Sequence, residues 1–171
     1  MTQDEPQFDE TMEFVGLEAR WKLGKVLGKG AMGEVLLATD TRLEREVAVK
    51  RMLGSEVDNA TSVKRFLTEA KSIAALNHPS IVQIYDYGQT QDGPYLIMEY
   101  VDGGSLADRC AKGCLPKAEA LSLASQLGAA LVAAHAASII HRDIKPANIK
   151  IDQKGHPVIL DFGIAKDMSI R

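Results

Sequence analysis

The first part of the chain alternates apolar and polar residues with the period of two that is typical of half-buried strands. This alternation predicts strands over residues 21–27, 34–39, 46–52, 81–87 and 95–100. Glycines at positions 28, 30 and 33 separate the first two strands and predict a tight turn. Over residues 61–76 apolar residues recur at intervals of three and four, which predicts an amphipathic helix that ends at Asn77-His78-Pro79.

The third predicted strand has two chemically different faces. Val47 and Val49 fall on one face, and Ala48 and Lys50 fall on the other. Lys50 is therefore expected to project from a strand.

The pattern changes after Asp102-Gly103-Gly104, where helical periodicity replaces alternation. Helices are predicted over residues 105–111 and 117–137, and short strands over 149–151 and 158–160. We expect a boundary between a β-rich and an α-rich part here, with the chemistry in the cleft between them. The longest apolar run, residues 127–140, is shorter than the roughly 20 residues of a membrane span, so it is expected to form a buried helix.

Composition and charge narrow the function classes. The chain has 171 residues, of which 46% are hydrophobic and 25% charged, as in an ordinary globular protein. A net charge of −3 gives no electrostatic reason to expect a nucleic acid or an anionic membrane as partner. Residues 1–20 carry six acidic side chains against one base, so this segment is expected to be a flexible acidic extension.

The two cysteines, Cys110 and Cys114, fit neither a zinc motif nor a disulfide framework, and we expect free thiols in a reducing compartment. The N-terminus has no basic region followed by an apolar core, so a secretory signal is not expected. The predicted location is the cytoplasm, and a membrane anchor beyond Arg171 is left open.

One run of residues carries the strongest chemical signal. His141, Arg142, Asp143 and Asn148 lie in HRDIKPAN, and an Asp-Phe-Gly triplet begins at Asp161, eighteen positions after Asp143. One carboxylate in such a loop can orient a substrate hydroxyl, while an Asn and a second Asp can hold magnesium ions on a nucleotide. The spacing indicates phosphoryl transfer.

Two further motifs agree with this chemistry. The glycine-rich run alone could be a structural hairpin, but a strand follows it instead of the helix that follows a dinucleotide-binding glycine run. Lys50 is suited to nucleotide phosphates, and Glu69 lies nineteen positions later in the predicted helix, where it could pair with Lys50. A solvent-facing carboxylate near Lys71 and Arg65 is the alternative for Glu69.

With GKGAMGEV, VAVK, HRDIKPAN and DFG together, the chain resembles the eukaryotic-like serine/threonine protein kinases, most of all their bacterial members, from about residue 21 to residue 166. The resemblance implies an α+β, two-lobed protein-kinase-like fold. It divides the chain into the extension (1–20), a complete β-rich N-lobe with one helix and the hinge (21–101), and an incomplete α-rich C-lobe (102–171).

The resemblance also implies roles for particular residues. Asp143 would orient the substrate hydroxyl, Lys145 would steady the γ-phosphate, and Asn148 and Asp161 would hold Mg²⁺. Lys50 would bind the ATP phosphates while paired with Glu69. Besides Lys50 and Asp161, the residues expected to bind ATP are Leu27, Gly28, Lys29, Gly30, Ala31, Met32, Gly33, Glu34, Val35, Ala48, Met98, Glu99 and Val101.

Two positions need separate comment. His141 is expected to be a buried structural residue stacked on Phe162 and not a catalytic base. Lys150 lies two positions after Asn148, where many relatives have an aliphatic residue under the adenine, so its methylene stem is expected to cover the base while its ammonium reaches outward.

The implied function is ATP-dependent transfer of the γ-phosphoryl group to Ser or Thr hydroxyls of proteins. Lys145 favours this branch over tyrosine kinases, and self-association for autophosphorylation is left open. The chain ends ten positions after Asp161, before the family's substrate platform, so the alternative is a nucleotide-binding or scaffolding module without transfer. The α-rich half is expected to expose apolar surface by itself. A small-molecule phosphotransferase is a further alternative, disfavoured by the HRDxKPxN context.

Overall fold

The computed structural model describes residues 20–30, 33–53, 57 and 59–162. The elements in chain order are β1 (Trp21–Gly30), β2 (Gly33–Asp40), β3 (Arg45–Met52), α1 (Ala60–Ala74), β4 (Ile84–Thr90), β5 (Gly93–Glu99), α2 (Leu106–Ala111), α3 (Lys117–Ala136), a 3₁₀ helix (Pro146–Asn148), β6 (Ile149–Ile151) and β7 (Pro157–Ile159). The acidic extension expected over residues 1–20 lies outside the described residues, apart from Arg20.

The β-rich part is a five-stranded antiparallel sheet in the order β1-β2-β3-β5-β4. The two faces predicted for β3 are confirmed. Val47 and Val49 are buried with Trp21 and Ile97 on one face, whereas Ala48 belongs to the larger core on the other.

Helix α1 covers that second face through the stripe that its sequence periodicity predicts. Val63, Phe66, Ala70 and Ile73 are buried, while the polar residues Lys64, Arg65 and Thr68 between them are exposed. Asn59 caps the helix, since its side chain accepts hydrogen bonds from the N–H groups of the second and third residues.

The two parts of the chain join through a β-bridge rather than through a longer β4. The fourth strand was predicted from residue 81 but begins at Ile84. Ile81 instead pairs in parallel with Ile159 of β7, and Val82 donates its N–H to the carbonyl of Ile159 at 3.0 Å. The large core is therefore continuous across both parts, and includes Phe66, Met98, Ala130, Val158 and Phe162.

The prediction that the apolar run 127–140 is a buried helix was wrong in part. Within this run, helix α3 buries Ala130 and Ala134, but Val132 is 70% exposed, and Ile140, which follows the helix, is 62% exposed. Because the apolar residues of α3 are spread around the helix with little preference for one face, the sequence does not reveal which face packs, and the part of the chain that the structure describes covers only one. The expected exposure of apolar surface in the α-rich half is confirmed. None of the described helices is both long and apolar enough to cross a bilayer.

Candidate active site

Gly30 and Gly33 of the glycine-rich run pair with each other at the end of the β1–β2 hairpin. Gly33 has a φ of 151°, and a Cβ there would collide with the carbonyl oxygen of Arg51. Only glycine fits this close approach of two strands. Ala31 and Met32 lie outside the described residues, as does Gly163.

Lys50 projects from β3 on the same sheet face as its cross-strand neighbour Val35. Its Nζ lies 2.7 Å from Oδ1 of Asp161 and donates a hydrogen bond to it. Asp161 has a left-handed backbone with a φ of 49°, a conformation that is uncommon outside glycine and often found at functional sites. The structure thus brings together two of the predicted site residues that are 111 positions apart.

The expected ion pair between Lys50 and Glu69 is not formed in this structure. Oε1 of Glu69 lies 3.9 Å from Arg142, and Oε2 is buried without a hydrogen bond from the described residues. Burial raises the pKa of Glu69, an effect that Arg142 and Arg65 partly oppose. The ammonium of Lys50 already contacts a carboxylate, and the orientation of α1 directs Glu69 toward Arg142 instead.

Three residues of the HRDIKPAN run, Asp143, Lys145 and Asn148, form a compact polar cluster. Lys145 Nζ lies 3.0 Å from Oδ2 of Asp143. The 3₁₀ helix places Asn148 beside it, and the Asn148 amide donates to the carbonyl oxygen of Asp143 at 2.9 Å and to its Oδ2 at 3.0 Å. The carboxylate of Asp143 is therefore held by an ammonium and an amide, which leaves it oriented as a hydrogen-bond acceptor.

His141 lies behind this cluster and is buried. Its Nε2 lies 2.7 Å from the carbonyl oxygen of Leu160, while Nδ1 accepts the N–H of Asp143 at 3.2 Å. Both contacts are satisfied only by the neutral ring that carries its proton on Nε2. The His141 ring lies 4.6 Å from that of Phe162, tilted by 52° rather than stacked. This geometry agrees with the predicted structural role.

The segment after β5 borders the same region. Met98 is buried and pairs with Ala48 across β3 and β5, and Val101 is also buried. The N–H of Glu99 donates to the carbonyl oxygen of Gln83 at 2.8 Å. The backbone N–H of Glu99 is therefore already used in a hydrogen bond within the protein.

Glu34 was predicted to bind nucleotide, but its side chain has another contact. It is buried and paired with Arg51 at 2.6 Å and with Lys29 at 3.3 Å. Because side chains alternate along β2, Glu34 lies on the opposite face from Val35 and hence from Lys50. The hydrogen bond from Arg51 is the main reason why the pKa of this carboxyl is lowered. Only the backbone of Glu34 remains able to contact a nucleotide on the Lys50 face.

Two features of the site were not predicted from the sequence, the pairing of Arg51 with Glu34 and the backbone of Arg142. The contribution of Arg51 could have been found from strand register, since Lys29, Glu34 and Arg51 lie opposite one another on three adjacent strands. The left-handed backbone of Arg142, with a φ of 63°, has no signal in the sequence.

Residues 21–171 match a family model described as the protein kinase domain. Among curated proteins, the chain is 44% identical over 155 residues to serine/threonine-protein kinase PknB of Mycobacterium leprae, which covers 88% of this chain and 25% of the relative. It is 42% identical over 154 residues to serine/threonine-protein kinase PrkC of Bacillus subtilis, which covers 90% of this chain and 24% of the relative.

The fold is similar to the crystal structure of the PknI kinase domain of Mycobacterium tuberculosis, with a TM-score of 0.76 and 30% identity over 86% of this chain and 60% of that one. The chain spans about a quarter of the length of the curated relatives and about three-fifths of that crystallised domain. Since the family model covers nearly all of the sequence and the relatives are more than 40% identical, the chain belongs to the protein kinase family.

Proposed function

We propose that this chain is the ATP-binding and catalytic-loop portion of a serine/threonine protein kinase. The observation that carries the proposal is the cluster in which Asp143 is held by Lys145 and Asn148, with the Lys50–Asp161 pair nearby in the same fold. Residues 21–101 are proposed as the N-lobe and hinge, and residues 102–171 as part of the C-lobe.

The proposed ATP site lies between the sheet and the catalytic loop. Val35 and Ala48 would contact the adenine ring from the sheet, with Met98 beside it. The carbonyl of Glu99 and the backbone of Val101 would meet the edge of the base, since the N–H of Glu99 is engaged. The glycine-rich turn, residues 27–34, would cover the phosphates with its backbone N–H groups.

The residues present fit a magnesium ion in their chemistry. Mg²⁺ prefers oxygen ligands, and it commonly takes few of them from the protein because phosphates and water complete its shell. Asn148 donates through its amide nitrogen, so its carbonyl oxygen is the atom able to coordinate. Asp161 contacts Lys50 through one carboxylate oxygen, Oδ1. These two residues are the proposed metal ligands.

The chain's own residues would then perform three tasks. Asp143 would accept a hydrogen bond from a Ser or Thr hydroxyl and take up its proton as the phosphoryl group is transferred. Lys145 would offset negative charge on the phosphate beside Asp143. Lys50 would turn from Asp161 toward the phosphates, and pairing with Glu69 would require α1 to rotate inward. Magnesium-bound ATP supplies the transferred γ-phosphoryl group.

The proposed substrates are proteins with Ser or Thr acceptors, which agrees with the names of the two related serine/threonine-protein kinases. We also propose that the protein self-associates for autophosphorylation and that this part of it lies in the cytoplasm.

A second candidate is a nucleotide-binding module without transfer. One observation favours it, because Glu69 contacts Arg142 while Lys50 contacts Asp161, so the ion pair expected of a transfer-competent site is not formed.

The deciding experiment measures transfer of radiolabelled phosphate from ATP in the presence of magnesium. It compares this chain with a longer chain that includes whatever the reading frame encodes after Arg171. Asp143→Asn is expected to lower transfer by about 10²–10⁴-fold, because a neutral amide cannot take up the hydroxyl proton. Affinity for magnesium-ATP should remain within about twofold, since the substitution is isosteric.

The matched control is Asp92→Asn, an exposed position in the turn between β4 and β5, which should leave transfer unchanged. Full transfer by Asp143→Asn would remove Asp143 from its proposed role. Magnesium-dependent ATP binding without transfer in either length of chain would favour the second candidate.

A further inference from the structure

Lys150 makes a contact that its position in the sequence did not reveal. It lies in the middle of β6, two residues after Asn148, and its ammonium was expected to reach outward. Instead, Nζ donates a hydrogen bond to the carbonyl oxygen of Gly103 at 2.9 Å, across 47 positions of sequence, and the side chain is half-buried.

The segment that receives this bond, residues 102–105, connects the β-rich part to α2, and we name it the linker. Besides the Lys150 side chain, two contacts hold the linker against β6 and the turn that follows. Ile151 donates its N–H to the carbonyl oxygen of Gly104 at 3.0 Å, as part of an antiparallel β-bridge between Ser105 and Lys150, and Gln153 donates its amide to Asp102 at 2.6 Å.

The linker approaches β6 as closely as backbone atoms allow. A Cβ on Gly103 would collide with the carbonyl oxygen of Ile151. This close approach brings the Gly103 carbonyl within reach of Lys150. The neighbouring carboxylate of Asp108 is already engaged by the N–H of Ser105 at 2.8 Å and by its hydroxyl at 2.6 Å.

Both ends of this contact border the proposed nucleotide site. The linker directly follows Val101, whose backbone is proposed to meet the adenine, and β6 directly follows the proposed metal ligand Asn148. The hydrogen bond from Lys150 to the linker is therefore one of the three contacts that set the distance between the purine-binding and metal-binding segments. A linker held in its binding conformation before the nucleotide arrives loses less conformational freedom on binding.

We propose that Lys150 is a positioning residue for nucleotide binding, which holds the linker on β6 through the Gly103 carbonyl and thereby fixes the backbone of Val101. This inference rests on the proposed function, because it assigns the purine of ATP to that backbone. An aliphatic residue at position 150 could cover a base but could not donate this hydrogen bond.

The test compares Lys150→Met with the wild-type chain and with Lys154→Met, a matched change at an exposed position of the following turn. Methionine keeps an unbranched apolar stem but removes the donor. Affinity for magnesium-ATP, measured by titration calorimetry, is expected to fall by about two- to tenfold, the range of one lost hydrogen bond. Hydrogen exchange of the backbone amides of Val101 and Asp102 should become faster in Lys150→Met but not in Lys154→Met.

Lys150→Arg keeps a donor and is expected to recover most of the lost affinity and exchange protection. If Lys150→Met proves too unstable to measure, Lys150→Gln, which is too short to span the gap, serves in its place. Weaker binding with unchanged exchange would overturn the positioning role, because Lys150 would then act on the nucleotide directly.

The failure of this inference can be distinguished from failure of the proposed function. If the wild-type chain binds magnesium-ATP and Lys150→Met binds it with equal affinity, the proposed role of Lys150 is overturned and the proposed function is not. Absence of magnesium-ATP binding by the wild-type chain overturns the proposed function and the nucleotide role of Lys150 with it.

Discussion

At the scale of single residues, the hydrogen bonds of His141 determine which form of its ring the fold can hold. Nε2 lies 2.7 Å from the carbonyl oxygen of Leu160, and Nδ1 accepts from the N–H of Asp143. A second proton, on Nδ1, would face an N–H donor and break the contact that positions the Asp143 backbone. Burial also lowers the pKa of His141 from its ordinary value of 6.5.

This linkage predicts a specific acid sensitivity. Because the folded pKa of His141 is lowered, the unfolded chain binds more protons at this position once the pH falls below about 6.5. The free energy of unfolding should therefore decrease as the pH falls through that value, and the loss should level off below the folded pKa. Urea unfolding of the wild type and of His141→Gln at about pH 7.5 and about pH 5.5 measures this effect.

Glutamine can donate to Leu160 but does not titrate, so the variant should lose less stability between the two pH values than the wild type does. Other acid-sensitive groups, such as Asp40 and Glu34, are common to both chains and cancel in the comparison. Equal losses in the two chains would show that the ring of His141 accepts its second proton without cost to the fold.

The structure brings together several residues that the sequence predicted for the candidate site, but the sequence did not predict all of their contacts. Asp143, Lys145 and Asn148 are close in sequence, so one short loop and a 3₁₀ turn bring them together. The partner of Lys50 depends instead on how α1 is oriented against the sheet. That orientation is set by tertiary packing. Spacing in the sequence predicted Glu69 as the partner of Lys50, whereas the partner in the structure is Asp161.

At the scale of elements, the sequence predicted every strand and α-helix that the structure describes. The alternation in strands and the periodicity in helices reflect which face each element buries, so both patterns are visible in the sequence. The start of β4 was predicted too early because Ile81 and Val82 are as apolar as the residues of a strand. In the structure both residues contact Ile159 of β7 instead. The 3₁₀ helix Pro146–Asn148 is too short to have a period.

Helix α1 offers a prediction at this scale, since its first turn depends on one side chain. The Asn59 carboxamide oxygen accepts from the N–H of Thr61 at 3.1 Å and of Ser62 at 3.2 Å. Asn59→Ala leaves these donors to water and is expected to lower the free energy of unfolding by about 0.5–2 kcal/mol. Chemical denaturation followed by circular dichroism measures the change.

Asn59→Asp keeps an acceptor at the cap and should retain wild-type stability, aided by a negative charge at the helix N-terminus. Asn77→Ala, at an exposed position after the helix, provides the control for loss of an asparagine. If Asn59→Ala and Asn77→Ala have the same effect, the cap contributes nothing to α1.

At the scale of the whole molecule, the larger hydrophobic core is shared by the β-rich and α-rich parts. The sequence predicted the boundary near Asp102 because composition changes there. It could not predict the joint, which consists of Ile159 of β7 paired with Ile81 and hydrogen-bonded to Ser80 and Val82. Pairing between such distant positions is a property of tertiary structure, and neither segment alone shows it.

This shared core predicts cooperative unfolding that depends on Ile159, whose side chain is fully buried. Ile159→Ala leaves a cavity where the two parts meet and is expected to lower the free energy of unfolding by about 2–5 kcal/mol. The chain has one tryptophan, Trp21, whose fluorescence reports on the sheet, while circular dichroism at helical wavelengths reports mainly on α1 and α3. Both signals should change in a single transition, and both should shift together in the variant.

Ile140→Ala removes the same side chain from a position that is 62% exposed, so it should change stability by less than about 0.5 kcal/mol. A variant Ile159→Ala that shifts the circular dichroism transition while leaving that of Trp21 in place would show two separately folding parts. Because Val82 and Ile159 are held by backbone hydrogen bonds as well as by packing, we expect the sheet and the helices to unfold together even in the weakened variant.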